Sequence, residues 1–157
     1  MTRQQFISHV ESSQKAFRSF LVALCCGDSA LADDIAQESY IKAYLSAGDF
    51  SDESKFNAWI RKIGLNTFLN HKRKKTARVE YSEATELESP QKTDSAFQYQ
   101  DLYRALDRLP EQERISILLF YLEGYSAKEI AELTGATHDA VKQHLSRGRN
   151  HLRGLLR

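Results

Sequence analysis

"YSAKEIAELTGATHDAVKQHLSRGR", residues 125–149, decides how this chain is read. Ser126, followed three residues later by Glu129, is a capping box that opens a helix. Ala131, Gly135 and Val141 come in order at spacings of four and six. They supply a small residue at a helix crossing, a turn residue able to take positive φ, and an apolar tie between two helices. Thr137 can cap the second helix, leaving His138, Asp139, Lys142, Gln143 and Ser146 along its outward side. The spacing predicts a helix-turn-helix. Lys142 and Gln143 are side chains that donate to base edges, and Arg147 and Arg149 can neutralise phosphates. The alternative is a helical hairpin whose polar face is simply solvated.

Outward from that stretch the helical period continues. Leu102, Leu106 and Leu109 mark one helix, and Pro110 suits the first turn of the next, whose stripe is Ile115, Leu118, Leu119 and Leu122. Near the N-terminus, Phe6, Val10, Phe17, Phe20, Leu21 and Leu24 recur at three- and four-residue steps. Gly27-Asp28-Ser29 supplies a stop and a new cap, and Leu31, Ile35, Ile41 and Leu45 are expected on one face of the second helix. Phe56, Trp59, Ile60 and Ile63 form a third stripe that ends in a basic run. Residues 76–95 have no sustained apolar period and read as an acidic, flexible linker. The expected fold is all-α: a helical bundle over 1–75, a linker over 76–95, and a second small helical domain over 96–157.

Charge follows the same division. The net charge is only +1, yet residues 61–75 hold six bases and no acid, whereas 76–101 hold two bases against six acids. Residues 138–157 hold five bases against one acid. Two basic segments flanking an acidic middle point to phosphate contacts at both ends. The longest apolar run, 115–122, is far short of the roughly 20 residues that span a bilayer, and the first residues lack a secretory layout, so a cytoplasmic location is expected. Cys25 and Cys26 fit reduced, packed thiols rather than a disulfide framework or a zinc site. No phosphate loop, nucleophile elbow or zincin spacing occurs, so neither catalysis, nor a cofactor, nor a metal site is expected.

The stretch "LPEQERISILLFYLEGYSAKEIAELTGATHDAVKQHLSRGRNHLR" resembles region 4 of bacterial sigma factors, which reads the minus-35 promoter element. Upstream, "ADDIAQESYIKAY" followed by "FNAWIRKIGLNTFLNHKRK" resembles region 2 of the extracytoplasmic-function group of the sigma-70 family. Two blocks in the family's order are more specific than either one. Thr134 stands where the family usually has an apolar residue, and Gly148 where it often has Ala. Both substitutions are expected to loosen the helix-turn-helix slightly.

The resemblance implies a fold and a set of sites. Region 2 of the family binds the β′ coiled coil of core RNA polymerase and opens the minus-10 element, while region 4 docks on the β flap. Carried over, Asp33, Asp34, Gln37 and Glu38 would meet the β′ coiled coil. The competing reading is a charge cluster favoured by the helix dipole, and a metal site from Asp34 and Glu38 is weaker than either. Residues 48–54, with Phe50 and Ser51, match the segment that captures an unstacked base, although Phe50 is as well suited to plug the core, as is Trp59. Lys62, Asn66 and Asn70 would read the upstream edge of the minus-10 element, with Lys72, Arg73, Lys74 and Lys75 holding phosphates. Thr137, His138, Asp139, Lys142, Gln143, Ser146, Arg147 and Arg149 would serve the minus-35 element. The linker would thread a positively lined polymerase channel, or serve only as a solvated tether. Promoter DNA and core polymerase are the implied partners, and family members are commonly held inactive by an anti-sigma factor. The rival class is an autonomous helix-turn-helix regulator, which would not need the block from Ala32 to Lys75 in that form.

Overall fold

The computed structural model describes residues 1–50, 52–81 and 99–156, without the side chains of Asp49 and residues 77–81. Among the described residues there are seven α-helices and no strand. Helix α1 (Arg3–Leu24) starts at Thr2, whose hydroxyl accepts from Gln5 N while the Gln5 side chain accepts from Thr2 N. It ends in a reversal made by Cys26 (φ 55°) and Gly27 (φ 92°), closed by Gly27 N donating to Val22 O. Asp28 then caps α2 (Ser29–Leu45) by accepting from Leu31 N, as the stop-and-cap reading expects.

The buried face of α2 differs from the expected one. Ala32, Ile35, Ser39 and Ala43 face the core, whereas Ile41 is 61% and Leu45 79% exposed. Six residues separate Ile35 from Ile41, which turns the helix through about 600° and carries the second side chain well off the first one's face. Small residues at 32 and 43 instead let α2 lie close to its neighbours.

Two short 3-10 turns, Ala47–Asp49 and Glu53–Lys55, lead into α3 (Phe56–Tyr81). α3 buries Phe56, Ile60, Leu65 and Phe68 against α1 and α2. At Gly64 α3 lies close against α1: a Cβ there would meet Phe17 Cζ at 2.8 Å. The helix expected to close at Lys75 continues to Tyr81, so residues 76–81 of the expected linker are helical. The rest of that expected linker, 82–95, lies outside the described residues.

α4 (Gln100–Asp107) and α5 (Glu111–Ile117) are joined at Pro110, which is the cap itself rather than a first-turn residue. α5 runs into a π-helical turn, Leu118–Leu122, which leaves Leu122 half exposed. α6 (Ala127–Thr134) and α7 (His138–Leu155) follow. One continuous apolar cluster joins Phe17, Phe20 and Ile60 of the N-terminal helices to Ile115, Leu119, Ile130 and Val141 of the C-terminal ones. The two halves are therefore packed on each other.

Candidate nucleic-acid and polymerase interface

The helix-turn-helix is assembled by the caps that the sequence carries. Ser126 Oγ accepts from Glu129 N, and the Glu129 carboxylate accepts from Ser126 N. The Ser126 N–H, with the Ser126 hydroxyl adding to it, holds the Glu129 carboxyl below its usual range. Gly135 takes φ 78° and closes α6 by donating to Ala131 O. Thr137 accepts from Ala140 N and starts α7. Ile130, Val141 and Leu145 are buried where the two helices meet.

Both departures from the family pattern have a defined place in the structure. The Thr134 hydroxyl donates to Ile130 O (2.8 Å) and accepts from Ala136 N (3.3 Å), bridging the helix end and the turn. Gly148 allows α7 to lie against α5, since a Cβ there would meet Ile117 Cγ1 at 2.8 Å.

On the outward side of α7, Thr137, His138, Asp139, Lys142, Gln143, Ser146 and Arg147 are all exposed. Arg149 is half-buried and donates to the Tyr121 hydroxyl at 3.3 Å. Around the far end of the helix, His151 Nδ1 lies 2.6 Å from the buried Glu113 carboxylate. The face thus combines side chains that can reach base edges with a tethered cation at its rim.

The second basic face lies on α3. Lys62, Asn66 and Asn70 follow at four-residue steps and are all exposed, which places them along one side of the helix. Asn70 accepts from Arg73 Nη2 at 2.9 Å, and Lys72 Nζ sits 5.6 Å from the Phe68 ring centroid. Arg73, Lys74 and Lys75 are exposed beyond it. Phe50 stacks on Trp59 with centroids 4.2 Å apart and planes 5° from parallel, and both rings pack at the edge of the core. Ser51 lies outside the described residues.

The acidic group on α2 is partly tied to other helices. Asp33 takes a charged hydrogen bond from Arg18 Nε (2.8 Å). Glu38 lies 2.8 Å from His71 Nε2 and 3.5 Å from Lys42 Nζ; the His71 bond, with Lys42 adding to it, holds its carboxyl below the usual range. Asp34 and Gln37 are exposed. None of these residues lies in the first turn of α2, where a helix dipole acts, so the dipole does not account for the cluster. Among the described residues no group of three or more His, Cys, Asp or Glu is placed to hold a metal.

Cys25 and Cys26 are buried and form no disulfide. Burial, then Asp28, pushes the Cys25 thiol up to about 12, which keeps it protonated and unreactive. No described helix is long and apolar enough to cross a membrane.

A helix-turn-helix reader with a second basic helix beside an exposed acidic face is the class of protein this geometry defines. Comparison with known proteins makes the assignment specific. Residues 6–78 match the family described as "Sigma-70 region 2" and residues 99–152 "Sigma-70, region 4". The RNA polymerase sigma factor SigV of Bacillus subtilis is 37% identical over 121 residues, covering 76% of this chain and 71% of that protein. The ECF RNA polymerase sigma factor SigW of the same organism is 31% identical over 142 residues, covering 80% of this chain and 75% of the relative. The sigma factor RpoE of Bartonella quintana, solved with the anti-sigma factor NepR, superposes with a TM-score of 0.83 at 28% identity and covers 96% of both chains. CnrH, solved with the cytosolic domain of CnrY, shares the fold at a TM-score of 0.75 and 23% identity, over 99% of this chain and 89% of that one. The chain belongs to the sigma-70 family, in its extracytoplasmic-function group. It is a transcription initiation factor that directs core RNA polymerase to specific promoters by recognising minus-10 and minus-35 elements.

Proposed function

We propose that the two halves divide this work, with residues 1–75 binding core polymerase and opening the minus-10 element and residues 96–157 reading the minus-35 element. The exposed row on α7 carries the second assignment, since Lys142, Gln143 and Ser146 are free to meet base edges on a helix fixed by caps at its start. On α3, Lys62, Asn66 and Asn70 form the matching row for the minus-10 element, flanked by Lys72, Arg73 and Lys74 for phosphates. Phe50 supports a core role in this scheme, being stacked on Trp59; a base entering that slot would displace one ring from the other. Asp33, Asp34, Gln37 and Glu38 face the β′ coiled coil, and the C-terminal half docks on the β flap. Residues 76–95 connect the two.

The chain acts in the cytoplasm, without catalysis of its own and without a cofactor. Its regulator is an anti-sigma factor, a reading supported by likeness to a sigma factor solved with one. Co-purification with core RNA polymerase, followed by run-off transcription from a promoter library, tests the whole scheme. Stable association with new promoter-dependent transcripts is the expected result. A chain that ignored polymerase yet bound duplex DNA tightly would establish an autonomous regulator instead.

A further inference from the structure

Two helices of the N-terminal half meet along a short polar ladder. Glu38 and Lys42 stand one turn apart on α2, opposite Thr67 and His71, which stand one turn apart on α3. Glu38 Oε2 lies 2.8 Å from His71 Nε2, and because an ionised carboxylate only accepts, the ring donates from Nε2. Glu38 Oε1 lies 3.5 Å from Lys42 Nζ, which in turn donates to Thr67 Oγ1 at 3.1 Å. Thr67 is fully buried and its hydroxyl donates to Ile63 O, so the Lys42 rung has a fixed anchor. Ser39 and Ala43, also fully buried, let the two helices approach beside the ladder.

This ladder joins two surfaces that are assigned different partners. Of Asp33, Asp34, Gln37 and Glu38 on α2, only Glu38 is bonded to α3, whereas Asp33 is bonded to Arg18 of α1. His71 lies between Asn70 and Lys72, at the start of the basic end of α3. Arg61 of the same helix is buried, with Nη2 3.1 Å from Glu123 Oε2. Among the described side chains of α3, that leaves Lys62 and the run from Lys72 to Lys75 as the Lys and Arg cations open to a phosphate. Glu38 sets a negative charge against the start of that run.

One carboxylate cannot serve both sides at full strength. A basic side chain of polymerase, above all a guanidinium that takes both oxygens, displaces the His71 N–H and the Lys42 ammonium from Glu38. The displaced donors then stand beside Asn70 and Lys72 with the adjacent negative charge neutralised, which favours a DNA phosphate there. The opposite order has the same outcome. A phosphate that draws His71 away leaves Glu38 open, and coupling between two binding equilibria is reciprocal. We propose that His71 is a positioning residue that couples the polymerase-facing side of α2 to the DNA-facing end of α3 through its hydrogen bond to Glu38, so that binding of either partner strengthens binding of the other. This rests on the assignment of those two faces under Proposed function. His71 and Glu38 are 34% and 41% exposed, so the coupling is that of a solvent-screened pair, about two- to fivefold in affinity.

The test is the dissociation constant of the full chain for core RNA polymerase, measured alone and with DNA from a promoter that the holoenzyme transcribes. His71→Ala leaves Glu38 open in the free chain. It is expected to bind core without DNA about two- to fivefold more tightly than wild type, and to gain less from DNA by a similar factor, with helix content and urea midpoint unchanged. His71→Lys keeps a donor toward Glu38 and is expected to return both constants toward wild type. A purely structural His71 would weaken core binding in both conditions, and a His71 that only touches DNA would leave core binding without DNA unchanged; either result overturns the coupling. Should His71→Ala lower the urea midpoint, Lys42→Ala, which frees the other Glu38 oxygen, decides the matter: tighter core binding without DNA supports the coupling and no tightening overturns it. Glu38→Ala judges the underlying assignment separately. Weaker core binding upholds that assignment even where the coupling fails, whereas unchanged core binding removes Glu38 from the polymerase face and overturns the coupling with it.

Discussion

Gly148 of α7 lies so close to Ile117 of α5 that a Cβ on the glycine would meet Ile117 Cγ1 at 2.8 Å and Cδ1 at 3.2 Å. That approach brings the recognition helix down on α5, so the orientation of the DNA-facing row depends on a missing side chain. Gly148→Ala gains up to about 1 kcal/mol of helix propensity but forces an overlap costing about 1–3 kcal/mol in a packed core. Net destabilisation is expected, read as a lower urea midpoint. Gly154 in the same helix has nothing within 4 Å, so Gly154→Ala should raise the midpoint or leave it unchanged. Equal effects from the two substitutions would show that propensity, not packing, governs α7.

Local chemistry was legible in the sequence and long-range chemistry was not. The Ser126–Glu129 box, the Gly135 turn and the Thr137 cap each act within four residues, and each forms as read. The buried face of α2 is hidden in the sequence because Ala and Ser make a weak apolar signal, whereas Ile41 and Leu45 make a strong one on a side that faces out. Arg61 looked like one more charge in a basic run, yet its partner lies 62 residues away and its side chain is buried. No periodicity marks such a pair. The family pattern says nothing of what Thr134 and Gly148 touch here, the Ile130 carbonyl and the Ile117 side chain.

His71 joins the basic end of α3 to Glu38 on the acidic face of α2, and it is the main cause of the lowered Glu38 carboxyl pKa. A carboxyl whose folded pKa lies below its unfolded value stabilises the fold above the unfolded value, and loses that contribution as pH falls through the depressed one. Glu38 is well exposed, so solvent keeps the contribution small. His71→Ala should move the Glu38 titration midpoint up toward the ordinary 4.5, as followed by carboxyl NMR. An unmoved midpoint would assign the shift to Lys42 instead.

Asn66 and Asn70 share an exposed face of α3 with Lys62, whereas the acidic pair Asp33 and Asp34 is carried by α2. Replacing both asparagines with Ala should therefore reduce promoter opening, seen as weaker permanganate reactivity near minus 10, while binding to core polymerase stays near wild type. A parallel loss of both activities would place the asparagines in the fold rather than at the DNA.

On α7, sequence reading and phosphate holding should separate by residue. Lys142→Ala and Gln143→Ala each remove a side chain able to pair with a base edge, a contact worth about 1–3 kcal/mol, or roughly 5- to 150-fold. Transcription from promoters with the cognate minus-35 element should fall by that order, and discrimination between elements should fall with it. Arg147 is exposed on the same helix, and its removal should weaken binding nearly uniformly across sequences while lowering the salt-dependence slope by about 1. Arg149 is held by the Tyr121 hydroxyl, so Tyr121→Phe should release its guanidinium and reproduce a weaker form of the Arg147→Ala pattern. If Lys142→Ala instead altered the salt slope alone, with the ranking of promoters unchanged, that lysine would be a phosphate contact and the reading of the minus-35 element would fall to Gln143 and its neighbours.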